Sequence, residues 1–282
     1  ATTHPEIAEG ILLYLKNEGF TNLVMMESSW VGDKTRDALL VTGFDDLSRR
    51  LGIPFWDLQE DRGVPADGAG MELSICERVK NVDFLINLPV LKGHCQTRMT
   101  CALKNMKGCI PASEKRRFHR LGLFEPIGHL SAAVCQDFIL VDSICPDLLF
   151  EDGGSPVQLD RLIAGRDPVL VDALGCSLLG IDIKDVPYIK IAENCGIGSA
   201  DLEHASIRIL HPENQRPSES GGGDYRGLVR LKELVRDVDS CSACYASLIP
   251  ALKRLRDEGY DLSTVGGHIE IGQGCRGKSG EI

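Results

Sequence analysis

The 282 residues carry 31 Lys and Arg against 41 Asp and Glu, a formal net charge of −10, and 43% of them are apolar. That balance excludes nonspecific nucleic-acid binding, which needs basic surface to displace counterions from phosphates, and the apolar content excludes a disordered chain. No apolar run reaches the roughly 18 residues of a membrane span and no basic-then-apolar leader opens the chain, so a cytoplasmic protein with neither membrane nor nucleic acid as partner is expected.

Thr3 and Pro5 open a first helix that places Ile7, Ile11, Leu12 and Leu15 on one face and stops at Gly19. Residues 21–26 read as a buried strand delivering the polar Glu27-Ser28-Ser29 at its carboxyl end. A helix over Asp45–Leu51, a strand over Pro54–Leu58, a helix over Glu72–Lys80 and a strand over Val82–Asn87 continue the alternation. Phe138–Asp142 is a further strand, and Asp167-Pro168 opens a helix over Val169–Leu179. The order predicts an α/β fold with a mainly parallel sheet covered by helices on both faces and ligands bound outside the carboxyl ends of its strands.

The stretch 212–226, polar and with three consecutive glycines, reads as a linker. It divides an α/β domain, 1–211, from a cysteine-containing region, 227–282. That region reads as a small helical metal-binding appendage, with Leu228, Leu231 and Val235 on one helix and Leu248, Ile249, Leu252 and Leu255 on another.

Eleven cysteines, odd in number and irregular in spacing, do not form a disulfide framework. Cys76, Cys135, Cys145 and Cys176 lie in apolar sequence and are expected in the core. Cys241 and Cys244 form a C-x-x-C pair at a helix start, and Cys275 follows in a glycine-rich loop. Three thiolates on a small unit suit an iron–sulfur cluster or zinc; both want four ligands, so one is missing from the tail. A redox dithiol and incidental thiols are the alternatives. Gly272–Gly277 satisfies the dinucleotide fingerprint after a strand-like 268–271, but no apolar helix follows to face a pyrophosphate, so the match is accidental.

The densest chemistry lies at a strand end, in residues 87–94 and 104–108. His94 can exchange protons near neutrality, while Lys92, Lys104 and Lys107 can hold an anion or, if desolvated, act as nucleophiles; Asn105 adds an amide. Downstream, Lys115-Arg116-Arg117-Phe118-His119-Arg120 is a basic run in an acidic chain. Folded over the His94 loop, it makes a local positive well for a carboxylate or phosphate. Expected catalytic residues are His94, Lys104 and His119, with Lys92, Asn105, Lys107 and Arg116 binding the anion.

The segments Asn87–His94, Ala102–Gly108 and Ala164–Pro168 resemble the characteristic stretches of the domain of unknown function 362 family, and the likeness covers nearly the whole chain. The resemblance implies an association with iron–sulfur modules, which favours a cluster, 4Fe-4S in type, over zinc for Cys241, Cys244 and Cys275. It also implies a redox or electron-transfer role with a redox partner protein. Against the family pattern the chain starts directly before its first helix and stops short of further cysteine-containing sequence. It is therefore expected to be a fragment, with room for a fourth ligand outside it. In order and spacing, His94, Lys104 and His119 are also similar to the lactate racemase family, which implies a racemase- or lyase-like alternative with His94 as base and Lys104 as nucleophile. Ala102-Leu103 replaces that family's paired glycines, so only the position of the pocket carries over. A binding module that carries a metal or cluster without catalysis is the third reading.

Overall fold

The computed structural model describes residues 2–147, 156–211, 230–238, 240, 242–262 and 266–275. The expected linker, 212–226, lies outside them, as does Cys241. The fold is mixed α/β, but instead of one mainly parallel sheet the described strands form five small sheets.

Helix α1 (Pro5–Asn17) forms as its pattern predicts, although His4 rather than Thr3 caps it. Thr3 instead donates from Oγ1 to the Leu88 carbonyl at 2.5 Å, and His4 N–H donates to Asp142 Oδ2 at 3.0 Å. Strand β1 (Met25–Glu27) is followed by α2 (Thr35–Thr42) and α3 (Phe44–Leu51) and pairs in parallel with β2 (Phe55–Asp57), setting Glu27 opposite Asp57 at the carboxyl edge. Ala8, Leu12, Met25, Leu47 and Ile53 bury themselves between these elements.

The helix expected over Glu72–Lys80 is a correction. Gly63–Gly68 (β3) and Met71–Cys76 (β4) form an antiparallel hairpin, and only Glu77–Lys80 (α4) is helical. Ala69 and Gly70, both at positive φ, make the tight turn whose twist suits a two-residue hairpin loop. Leu73 and Ile75 then alternate into the core with period two.

The expected Val82–Asn87 strand shortens to β5 (Ile86–Asn87), parallel to β8 (Phe138–Ser143). Pro89 has no N–H to give the ladder, yet pairing resumes beyond it: Leu91 N–H donates to the Asp142 carbonyl at 2.9 Å. The chain is thus carried along β8 to its carboxyl end, where the hairpin β6 (Lys92–His94) and β7 (Arg98–Thr100) emerges. Behind it follow α5 (Ala102–Asn105), a 3₁₀ turn (Met106–Cys109), α6 (Ala112–Leu121) and α7 (Phe124–Ala133). Strand β9 (Arg161–Gly165) pairs antiparallel with β8 and feeds α8 (Pro168–Leu179). Asp167 caps that helix by accepting from the N–H groups of Val169 and Leu170 at 2.8 and 3.0 Å.

Helix α8 is buried along most of its length. Gly175 lets it approach the hairpin: a Cβ there would meet Leu91 Cδ1 at 2.9 Å. Cys76 and Cys176 are buried as expected, whereas Cys135 and Cys145 are exposed, because each lies where the chain leaves a regular element. The ten described cysteines are all free.

Helix α7 crosses α9 (Pro187–Asn194) at Gly128, where a Cβ would sit 2.5 Å from Ile191 Cγ2 and 3.1 Å from the Tyr188 carbonyl. Gly128→Ala is expected to lower unfolding free energy by about 1–3 kcal/mol, the cost of overpacking, measured as a fall in urea midpoint at unchanged slope.

In the C-terminal region Leu231, Ile249 and Leu252 form a cluster of their own. Val235 does not continue a helix: it starts β10 (Val235–Asp237), parallel to β11 (Ile269–Ile271). The C-terminal helix, Ser242–Asp257, follows β10, and the glycine fingerprint contains a 3₁₀ turn, Gln273–Cys275.

Candidate functional site

Asn87 closes β5 and joins the two motif segments. Its Nδ2 donates to the Ala102 carbonyl at 3.0 Å and to Gln136 Oε1 at 2.6 Å, and its Oδ1 accepts from Asn105 Nδ2 at 2.8 Å. The Asn105 amide expected to bind ligand is therefore committed to Asn87, where it fixes α5 against the strand end. Asp172 of α8 is fully buried, accepts from Leu103 N–H at 3.3 Å, and has its carboxyl pushed up to about 7 by burial.

His94 is 3% exposed at the end of β6. Its Nδ1 accepts from the N–H groups of Gln96 and Thr97 at 3.0 and 3.3 Å, which leaves the ring proton on Nε2. Burial holds its pKa well below the usual imidazole range, helped by Lys104, Lys107, Lys92 and Lys232. The His119 imidazole, half-buried on α6, is pushed down to about 3 by burial and then by Lys107 and Lys104, against a partial offset from Asp237. Both rings are neutral at pH 7. In this tautomer His94 carries its proton on Nε2, and its Nδ1 lone pair is engaged by the two backbone N–H groups.

Lys92, Lys104 and Lys107 are each half-buried, and Lys104 Nζ lies 3.1 Å from Thr100 Oγ1. Lys104 and Lys107 act electrostatically on both imidazoles, so His94, Lys104, Lys107 and His119 share one region, with Lys92 beside His94. Arg116 does not join them. It is exposed on α6, whereas Lys115, Phe118 and His119 turn inward from the same helix.

Two residues of this region, Glu27 and Lys115, are not among the expected site residues. Glu27, at the carboxyl end of β1, retains solvent access, yet the surrounding protein raises its pKa; Lys115 and Lys92 oppose that rise. Its Oε1 accepts from Ser28 N–H at 2.7 Å and would stand 3.0 Å from a Cβ at Gly108, so a larger residue there would press on the carboxylate. Lys115, 4% exposed, donates to the Ser28 carbonyl at 3.0 Å, Ser28 Oγ at 2.6 Å and the Ser29 carbonyl at 2.6 Å. It anchors the Glu27 loop rather than binding ligand.

Residues 1–177 match the family model described as Domain of unknown function (DUF362). The chain belongs to this family. The DUF362 match contains every lysine and histidine just described in the α/β unit and ends before Cys241, Cys244 and Cys275. A relative, Thylakoid-associated protein sll1697 of Synechocystis sp., is 24% identical over 223 residues, covering 74% of this chain and 67% of that protein. No solved structure matches the chain. No helix among the described residues is long and apolar enough to cross a membrane.

Of the expected metal ligands, Cys244 and Cys275 are half-buried, and Cys241 lies outside the described residues. No three described His, Cys, Asp or Glu side chains are grouped closely enough to hold a metal ion. Cys244 comes after β10 and Cys275 after β11 in the sequence, and Ser240 Oγ is buried with no hydrogen-bond partner.

Proposed function

We propose that this DUF362 chain is a cytoplasmic redox protein that binds a small carboxylate- or phosphate-bearing molecule in the cleft between β6 and α6. In this reading an iron–sulfur cluster, held by Cys241, Cys244 and Cys275, exchanges electrons with a redox partner protein. The observation that carries the anion pocket is the set of charges acting on His94: Lys104, Lys107, Lys92 and Lys232, all cationic in a molecule of net charge −10. Low-dielectric walls concentrate such a field, so a local well can capture an anion that the whole protein repels. His94 Nε2–H supplies a directional donor to the anion. Glu27, in reach of Lys92, supplies a carboxylate that can exchange a proton with a bound molecule. The cluster, when bound, supplies one-electron chemistry.

Inorganic phosphate is the simplest probe. A bound anion cancels part of the lysine field, so the pKa of His119 should rise from about 3 and binding should be accompanied by proton uptake at acidic pH. Proton NMR of the imidazole carbons over pH 3–7, with and without phosphate, measures this. Unchanged His119 titration at phosphate levels that saturate any calorimetric signal would rule the cleft out as the binding place. Visible absorbance that bleaches with dithionite tests the cluster, and stoichiometric zinc without sulfide would exclude the redox role.

A further inference from the structure

We propose that Asp172 of α8 is a positioning residue of the anion cleft: it caps α5 from outside, fixes the turn that carries Lys104, and regulates anion affinity by gaining or losing its proton. The inference rests on the anion-cleft reading above and deepens it by naming the group that regulates that site.

Helix α5 lacks a cap of its own. The first N–H groups of a helix have no partner within it, and a capping side chain ordinarily supplies one. Cys101 occupies the cap position of α5 and makes no side-chain hydrogen bond to it. Asp172, 69 residues beyond Leu103, takes that part: its Oδ1 accepts from Leu103 N–H at 3.3 Å. Helical spacing puts Asp172, Gly175, Cys176 and Leu179 on one buried face of α8. Gly175 keeps that face close to the entry of α5, since a Cβ there would stand 3.5 Å from Met99 Sδ and 3.7 Å from Cys101 Sγ. Lys104 is the next residue after Leu103, so the seating of this turn sets where its ammonium stands beside Thr100. The amides of Asn87 and Asn105 hold the strand-facing side of α5 at every pH, whereas Asp172 governs the N–H side that packs on α8.

Two opposed demands meet at Asp172. It is fully buried and its Oδ2 has no hydrogen-bond partner, which favours the neutral acid. The N–H groups at the start of α5 favour the ion, because hydrogen bonds to a charged acceptor are roughly twice as strong as neutral ones. Burial lifts the carboxyl to about 7 against the pull of Leu103 N–H, the Cys101 thiol and Ala102 N–H. The titratable groups facing it are Cys101 before α5, Cys176 on α8 itself and Tyr188 on α9, each held protonated by burial and then by Asp172. Cys176 also feels Arg98 of β7 and, beyond α8, Asp182 and Asp185. The Tyr188 hydroxyl is spent on the Met99 carbonyl at 3.0 Å. Among Asp172, Cys101, Cys176 and Tyr188, Asp172 is therefore the group that changes charge near neutrality, and the depressed imidazoles of His94 and His119 stay neutral while it does so. Ionised, it grips the first turn of α5; neutral, it loosens that grip.

The test uses the whole chain and sulfate, an anion whose own charge is constant on either side of neutrality. Calorimetry is run at pH 6 and pH 8, below and above the Asp172 titration at about 7. Wild-type affinity should rise by about threefold or more over this interval as the cap strengthens. Asp172→Asn keeps an acceptor for Leu103 N–H but cannot ionise, so it should bind sulfate at the weaker wild-type level at both pH values. Circular dichroism and melting show whether the variant is folded. Should it unfold, the wild type decides alone, because its Leu103 amide resonance and its sulfate affinity should titrate with one midpoint. A pH dependence that survives in folded Asp172→Asn, or two separate midpoints in the wild type, would overturn the assignment and leave the cleft reading standing. Affinity that falls as pH rises, with tighter binding by Asp172→Asn, would make Asp172 a repelling charge and overturn it equally. Sulfate bound by neither protein at either pH overturns the cleft reading and its regulation together.

Discussion

Replacing Lys115 by Met is expected to lower unfolding free energy by about 3–5 kcal/mol, because it leaves three acceptors of the Ser28-Ser29 loop without their donor and removes a cation opposite Glu27. Methionine nearly preserves the length and apolar stem, so the loss reports the ammonium and not the packing. Chemical denaturation measures it, and a change under 1 kcal/mol would mean that the loop rearranges to satisfy itself. A second readout follows from electrostatics: without Lys115 the Glu27 carboxyl should titrate higher still, visible as a shift of its carboxyl carbon resonance.

The double substitution Lys104→Met/Lys107→Met should weaken phosphate binding at least tenfold, about 1.4 kcal/mol, with little effect on folding at neutral pH. It should also alter the acid limb of stability. A histidine whose folded pKa lies below its unfolded value of 6.5 binds its proton preferentially in the unfolded chain. His119 and His94 therefore contribute stability that is complete above pH 6.5 and drains away as pH falls; for His119 the loss runs down to about 3. Removing two lysines raises the folded pKa values, so the double variant should lose less stability than wild type between pH 6.5 and 3. Burial is the leading cause of both depressions, so the difference narrows without vanishing. Parallel acid-unfolding curves would show that the lysines lie outside the field of these rings.

Much of this region was legible in the residues alone, and what escaped did so for identifiable reasons. Clustered lysines and histidines at a strand end are the sequence signal for the proposed anion site, since strand ends are where α/β proteins hold ligands. Arg116 and Lys115 were separable by helical period: Phe118 must be buried, Lys115 and His119 flank it on one face, and Arg116 with Arg120 falls on another. Glu27 announced itself as the polar end of an apolar strand, but its meeting with Gly108 joins residues far apart in sequence. No local pattern reports such a meeting. The β3–β4 hairpin was misread because Leu73 and Val79 suit a helix as well as a strand, while Ala69-Gly70 is a weaker turn signal than Asn-Gly. The single parallel sheet dissolved into short pieces because most strands are only two or three residues long, a property that apolar runs do not reveal.

The amide clamp of Asn87, Asn105 and Gln136 bears on how the cleft answers its medium. None of its members titrates, and Asn87 and Gln136 are buried, so neither acid nor added salt reaches the bonds that set α5 against the strand. At 0.1 M salt, charges more than about 10 Å apart in water scarcely sense each other, and the pull on a distant anion fades accordingly. The lysines on the clamped elements keep their spacing all the same. At the proposed anion site, ionic strength should therefore govern how fast an anion arrives, while the shape it finds stays constant, as in a rigid ion-exchange resin rather than a swelling polyelectrolyte.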